Sequence, residues 1–178
     1  MNRVLLPFPA QHDLAQGMAT LLQVRLGRLE WRRFPDGESL VAIDEAIDGA
    51  SVAIVSSLHH PDDMALALRF AAATAREFGA RRVGLIAPYL AYMRQDKRFH
   101  DGEAVSAPLF ARFLEETFDW LVTVDPHLHR TPNLSALYRM PARRVAAARL
   151  VGHWIRYEVP EVVIISPDRE SEHWVSEI

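Results

Sequence analysis
Cysteine is missing from this 178-residue chain, which removes disulfide frameworks and thiolate zinc sites and fits a reducing compartment. Long hydrophobic runs are missing too. No apolar stretch approaches the roughly 18 residues of a membrane span. The apolar run near the N-terminus is broken by Pro7, Pro9, Gln11, His12 and Asp13, so it does not form a secretory h-region. The expected location is cytoplasmic, with no membrane partner. An excess of positive charge is also absent. Lys and Arg number 20 against 23 Asp and Glu, a net charge of -3, and a nucleic-acid partner, which calls for a clustered positive field, is not expected. Neither internal repeats nor low-complexity segments occur. What the chain has is apolar content, 49% hydrophobic residues, enough to bury a substantial core as one domain or as one domain plus part of another.

Short β-type runs alternate with helical patterns. Residues 4–6, 29–34, 40–43, 52–56, 83–87, 120–125 and 162–165 read as strands, and 13–26, 61–78, 105–117 and 145–157 as helices. Asp62 and Asp63 in the first turn of the second helix and Gly79 just past its end fit the macrodipole and the cap. Strand alternating with helix predicts an α/β fold with a mostly parallel sheet covered on both faces. Leu109, Phe113 and Phe118 suit either the core or an interface, and the core is favoured because amphipathic helices in such folds pack their apolar stripe on the sheet. Ligands sit beyond the carboxyl ends of the strands, so the residues that follow each strand are the candidates.

Three segments qualify. Arg94-Gln95-Asp96-Lys97-Arg98 lies beyond 83–87, Asp125-Pro126-His127 follows Leu121-Val122-Thr123-Val124, and Ser166-Pro167-Asp168 follows 162–165. From Arg81 to His100 there are five Lys or Arg and one acidic residue. On charge alone this is a solvated face. Its place in a loop, 88–104, longer than about 12 residues makes it a candidate anion clamp. Arg94 would offer a bidentate guanidinium to phosphate oxygens and Gln95 neutral hydrogen bonds. Gly102 and the charges of the loop imply mobility.

Phe34-Pro35-Asp36-Gly37-Glu38 reads as a turn between extended segments. A second reading has Phe34 stacking on an aromatic base while Asp36 and Glu38 accept hydrogen bonds from an exocyclic amine or ribose hydroxyls, and a turn can do both. In Asp125-Pro126-His127-Leu128-His129 two histidines and a carboxylate fall within five residues, yet a closed zinc site of three or four ligands is not completed. Magnesium needs only one or two protein ligands beside phosphate oxygens and water, and prefers oxygen donors. Asp125 and Asp168 suit it, whereas a histidine at a strand end is as readily a hydrogen-bonded structural residue.

The blocks at 34–38, 88–97, 124–127 and 166–168, in this order and spacing, resemble the ribose-phosphate pyrophosphokinases, or phosphoribosyl pyrophosphate synthetases. The most specific is Pro88-Tyr89-Leu90-Ala91-Tyr92-Met93-Arg94-Gln95-Asp96-Lys97. The resemblance covers nearly the whole chain. It implies a phosphoribosyltransferase-like three-layer α/β fold with a mostly parallel sheet. It also implies an ATP-binding domain over 1–147 and, over 148–178, the start of a second domain of phosphoribosyltransferase type. The active site would lie between them with a contribution from a neighbouring subunit, hence a homo-oligomer. The implied activity transfers the β,γ-diphosphoryl group of ATP to the anomeric hydroxyl of ribose 5-phosphate, giving phosphoribosyl pyrophosphate and AMP. By matching position, ATP would be held by Phe34, Asp36, Gly37 and Glu38 on the turn and by Arg94, Gln95, Asp96 and Lys97 in the loop, with Arg94 on the phosphates. His127 and Asp168 would belong to the Mg2+ site.

The chain departs from that pattern in four places. Phe99 to Ser106 replaces the usual basic stretch leading to Glu-Pro-Ile-Ser or Thr, and Pro126 stands where leucine is usual. Arg169-Glu170-Ser171-Glu172 follows Asp168 in place of Gly-Gly, putting carboxylates where a backbone turn normally lies. The family's ribose-phosphate loop, an acidic pair followed by Thr-Gly-Gly-Thr, and the lysine that precedes it do not occur in the 178 residues. Both are expected beyond Ile178, so no catalytic residue is assigned. The chain is therefore expected to be incomplete, a nucleotide half without the sugar-phosphate half. The alternative is a non-catalytic regulatory or structural homologue that associates with an active synthetase.

Overall fold
Val52, Ala53, Ile54 and Val55 are all buried, the mark of a strand covered on both faces, and the architecture is built around them. The computed structural model describes residues 2–128, 131, 133–159, 161–165 and 175. Its strands are β1 (Arg3–Pro7), β2 (Arg25–Leu26), β3 (Leu29–Arg33), β4 (Ser39–Ile43), β5 (Ser51–Val55), β6 (Arg82–Ala87), β7 (Leu121–Val124) and β8 (Ala142–Val145). Its helices are α1 (His12–Leu22), α2 (Pro61–Glu77), α3 (Ser106–Thr117) and α4 (Ala148–Glu158). Six strands form one sheet in the order β2-β1-β5-β6-β7-β8, with every neighbouring pair parallel. The expected α/β fold with its parallel sheet is observed. β3 and β4 form a separate antiparallel hairpin, docked through buried Leu29 and Ile43 and through Trp31, edge-on to Phe8 at 5.6 Å.

Alternation along the strands sorts side chains into layers. Leu5, Ala53 and Val55 face α1 and pack with its Ala15 and Ala19. Val4, Leu6, Val52, Ile54, Val83 and Leu85 face the other way and pack with Ala67, Leu68, Ala71 and Ala72 of α2 and Leu114 of α3. The result is three layers. On the α1 face the register places Leu5, Ala53 and Gly84 side by side across β1, β5 and β6. Trp120 lies over Gly84, where a Cβ would come within 1.9 Å of Cε2 of the indole.

The structure differs from expectation in several places. α1 stops at Leu22, not near residue 26, because Gln23 adopts the left-handed conformation (φ 52, ψ 47) and its N–H closes back on Ala19 O and Thr20 O. That cap frees residues 25–26 to pair with β1 as an edge strand. β8 was not expected at all, and α4 begins at Ala148 rather than 145. β8 reads Ala-Arg-Arg-Val with three of its four residues exposed, a charged strand with neither alternation nor an apolar run. Residues 162–165 form no strand and are exposed, Val163 and Ile165 at 81% each. Among the described residues no other strand lies beside them, and a lone strand is not stable. Phe118 is buried as expected, but Leu109 is half exposed and Phe113 is only partly buried against the core.

Candidate functional site
The carboxyl ends of β6 and β7 lie side by side, with Leu85, Ile86 and Ala87 opposite Leu121, Val122 and Thr123. The chain leaving each strand forms one wall of a cavity of about 400 Å3, lined by Tyr89, Leu90, Tyr92, Met93, Arg94 and Gln95 on one side and by Val124, Asp125, Pro126 and His127 on the other. Two of the three expected strand ends therefore meet. The third, Ser166-Pro167-Asp168, lies outside the described residues, and so does His129.

The loop 88–104 has two parts with different physics. Leu90, Ala91 and Met93 are buried in the main core, and Tyr89 O accepts from Leu58 N at 3.0 Å. Tyr92 has a positive φ of 59, a left-handed conformation unusual for an aromatic residue. Its ring packs on Phe110 at 4.7 Å, and its hydroxyl bonds the carboxylate of Asp62 at the start of α2. That bond, then partial burial and the charge of Asp62, push the phenol above its ordinary value. The first part is thus packed against the core, which confines the expected mobility to the second part at most. There Glu103 organises a turn. Its carboxylate accepts from the Phe99 and His100 amides, both at 3.1 Å, and meets His100 Nδ1 at 2.8 Å. The His100 side chain first, then the amides, hold the Glu103 carboxyl below its ordinary value.

This division splits the basic cluster. Arg94 is exposed at the cavity, and no carboxylate among the described residues pairs with it. Gln95 lines the cavity with its orientation fixed, since its Oε1 accepts from Ser106 Oγ at 2.6 Å and its carbonyl accepts from Ala107 N at 3.1 Å. Asp96, Lys97 and Arg98 do not line it. Lys97 lies over the Phe99 ring at 5.4 Å, and Arg98 Nε donates to Glu103 O at 2.8 Å.

Phe34, Asp36, Gly37 and Glu38 lie elsewhere, at the tip of the β3–β4 hairpin. Gly37 N donates to Phe34 O at 2.9 Å, Phe34 N donates to Glu38 O at 2.8 Å, and Glu38 N donates to Asp36 Oδ1 at 3.2 Å. Gly37 at φ +91 supplies the conformation this turn requires. Phe34 is 39% exposed, with the Arg32 guanidinium 4.7 Å from its ring centroid. None of the four lines the cavity of its own chain.

Asp125 and His127 separate in role. The Asp125 side chain is 7% exposed. Its Oδ1 accepts from Arg144 Nε at 3.0 Å, its Oδ2 accepts from Ala147 N at 2.8 Å, and Arg144 reaches the same Oδ1 with a terminal nitrogen at 2.9 Å. Arg144 had no signal in the sequence, since nothing there announced β8. Among the described residues no group of three or more His, Asp or Glu is placed to hold a metal. Magnesium therefore fits the described residues only as an ion carried largely by phosphate oxygens and water, with exposed His127 as the nearby donor.

A parallel sheet that sets an arginine, an oriented amide and a histidine around one cavity beyond its carboxyl edge is an α/β domain whose cavity has the donors an anionic ligand calls for. The family model for the N-terminal domain of ribose phosphate pyrophosphokinase matches residues 4–117, and the chain belongs to that family. The ribose-phosphate pyrophosphokinase of Methanopyrus kandleri is 37% identical over 168 residues, 93% of this chain and 56% of that protein. That of Saccharolobus solfataricus is 32% identical, over 90% of this chain and 55% of that protein. The crystal structure of phosphoribosylpyrophosphate synthetase from Mycobacterium smegmatis superimposes with a TM-score of 0.84 at 27% identity, covering 99% of this chain and 61% of that one. The chain spans about half the length of the curated relatives it matches. Among the described residues no helix is long and apolar enough to cross a membrane.

Proposed function
We propose that this chain supplies the nucleotide-binding half of a ribose-phosphate diphosphokinase, cytoplasmic and homo-oligomeric, in keeping with its span of about half the length of its relatives. The whole protein would pass the β,γ-diphosphoryl group of ATP to the anomeric hydroxyl of ribose 5-phosphate, forming the O–P bond to the sugar as the bond between the β-phosphorus and the AMP oxygen breaks. The observation that carries this reading is the cavity beyond β6 and β7, where Arg94, Gln95 and His127 converge in a chain of this family. Transfer of this kind needs in-line positioning and charge neutralisation rather than a covalent protein group. Arg94 is assigned to the phosphates and Gln95, fixed by Ser106, to a neutral hydrogen bond beside them. Magnesium, when bound, neutralises phosphate charge, and His127 is the described side chain assigned to it, with Asp168 as second ligand.

Phe34, Asp36, Gly37 and Glu38 are proposed to meet the adenine of a neighbouring copy's ATP. Their exposure at a hairpin tip, away from their own cavity, supports a contribution in trans. Asp96 and Lys97 follow Gln95 directly and are kept as nucleotide contacts reached when the distal loop rearranges. The division into 1–147 and 148–178 is supported by α4, which begins at Ala148 and shows Leu150, Trp154 and Tyr157 to solvent.

Calorimetric titration of ATP with Mg2+ tests the site. One charge-assisted contact contributes about 1.5–3 kcal/mol, so Arg94→Ala should weaken ATP at least about ten-fold. Arg98→Ala, whose guanidinium is turned to Glu103 O, should leave binding near wild type. Equal affinity of Arg94→Ala and wild type would remove the assignment.

A further inference from the structure
Asp125 is a buried carboxylate on the cavity wall, two residues from His127, and a buried carboxylate without a partner is strongly unfavourable. Its partner comes from β8. Arg144 Nε and a terminal nitrogen meet Oδ1 at 3.0 and 2.9 Å, while Oδ2 takes the Ala147 amide at 2.8 Å. Both oxygens are engaged, one by a fork of two guanidinium nitrogens whose planar geometry suits a carboxylate as an ammonium does not. Asp125 also sits at a positive φ of 37, and its N–H donates to Val145 O at 3.1 Å. Helix α4 has no side-chain cap of its own at Ala147. The Asp125 carboxylate therefore supplies negative charge at that helix start.

We infer that Arg144 is the resident cation of Asp125: it holds the carboxylate that a divalent ion would otherwise claim, and makes Asp125 a positioning residue rather than a metal ligand. Through Asp125 the pair ties the end of β7, and with it the His127 turn, to β8 and to the amide of Ala147, the N-cap residue of α4. It also removes a negative charge from the cavity wall that polyphosphate would face. The inference rests on the nucleotide reading of the cavity, and it specifies how that site carries its metal, on phosphate oxygens, water and the two side chains proposed above, with no share for Asp125.

The probe is Mn2+ alone, without nucleotide, followed by electron paramagnetic resonance on the full chain. The wild type should show no Asp125-dependent Mn2+ site. Arg144→Ala should bind Mn2+ at least about ten-fold more tightly than wild type, the ratio equivalent to one charge-assisted contact, and Asp125→Asn added to Arg144→Ala should abolish the gain. Arg144→Met, which keeps most of the length of the stem, repeats the test with packing retained. Arg144→Lys should rescue only part of the wild-type behaviour, because a single ammonium does not reproduce the fork. Loss of a merely structural ion pair would lower thermal stability and create no metal site. Equal Mn2+ binding by wild type, Arg144→Ala and Arg144→Met overturns the inference, as does a wild-type Mn2+ site that Asp125→Asn removes. Because no nucleotide is present, either result stands apart from the Arg94→Ala titration, so the two readings fail separately.

Discussion

Gly84→Ala is expected to be among the most costly single-methyl additions in the sheet. Gly84 lies in β6 beside Ala53 of β5, which in turn lies beside Leu5 of β1, so the α1 face of the sheet is shallow there. Trp120 fills the depression. A Cβ at Gly84 would stand 1.9 Å from Cε2, 2.1 Å from Cδ2 and 2.3 Å from Cζ2 of the indole, against a normal carbon contact of about 3.5–4.0 Å. Either the ring or the strand must shift by roughly 1.5 Å or more to restore that separation. The ring packs with Leu5, Ala15, Ala19, Ala53 and Val55. The strand is held by Leu85 N, which donates to Trp120 O at 2.9 Å, and by Asp119 N, which donates to Val83 O at 2.8 Å.

Overpacking costs about 1–3 kcal/mol, and this contact belongs at the upper end. Replacing a strand glycine by alanine returns about 0.5–1 kcal/mol of backbone entropy, leaving a net loss of about 2 kcal/mol. For a chain of this size that lowers Tm by about 4–8 °C. Urea unfolding followed by circular dichroism measures the loss directly. The decisive arm is the same substitution in a Trp120→Ala background, where the obstruction is gone and only the entropy remains. There Gly84→Ala should be neutral or stabilising by up to about 1 kcal/mol, a coupling of about 2–3 kcal/mol between the two positions. A Gly84→Ala variant as stable as wild type, or one equally destabilised in both backgrounds, would refute the packing argument.

Tyr138 is 2% exposed, its hydroxyl has no hydrogen-bond partner among the described residues, and burial first, then nearby Glu115, push its phenol far above the ordinary value of 10.0. Because the folded value is the raised one, the stabilisation is fully present below about pH 10, the unfolded value, and is lost as pH rises beyond it. Tyr138→Phe should therefore flatten the alkaline fall in stability, and at about pH 7 be neutral or stabilising by about 1 kcal/mol, since it deletes an unsatisfied buried hydroxyl. An unchanged alkaline slope in denaturant melts from about pH 8 to 11, the range that brackets the phenol's ordinary value, would contradict it. Gly37→Ala should cost about 1 kcal/mol by the same measurement, because φ is +91 while nothing lies within 4 Å of the added Cβ. A loss several times larger would mean that the hairpin tip is packed rather than open.

The elements that could be read in advance are those whose periodicity is written in their own residues. β5 and β6 announce themselves by contiguous apolar runs, and α2 by its acidic first turn and by Gly79 at φ +86. The readings that failed concern features set by distant partners. Leu22 and Leu26, four apart, continue a helical pattern, yet a left-handed Gln23 ends α1 and releases residues 25–26 to pair with β1. Ala142-Arg143-Arg144-Val145 carries no strand signal, and becomes β8 only because β7 offers it a backbone edge. Residues 162–165 look like a strand and, among the described residues, have no edge to join.

The same contrast governs the site. Arg94, Gln95 and His127 follow from the rule that ligands gather beyond strand ends, which needs only the strands to be placed. Which charges of a cluster face the cavity is a different question, and composition does not answer it. Lys97 and Arg98 are near neighbours of Arg94 in sequence, but Phe99 and Glu103 draw them into the distal turn. Asp125 looked like a magnesium ligand because oxygen donors at strand ends suit that ion, and the structure commits both its oxygens to β8 and α4. Arg144 lies 19 residues from Asp125 in sequence, on a strand that could not be foreseen. A carboxylate's role is set by the cation that reaches it first, and that cation is fixed by sheet order rather than by local sequence. A reading of strand ends therefore finds the cavity, whereas the charge on its wall follows only once the edge strand is known.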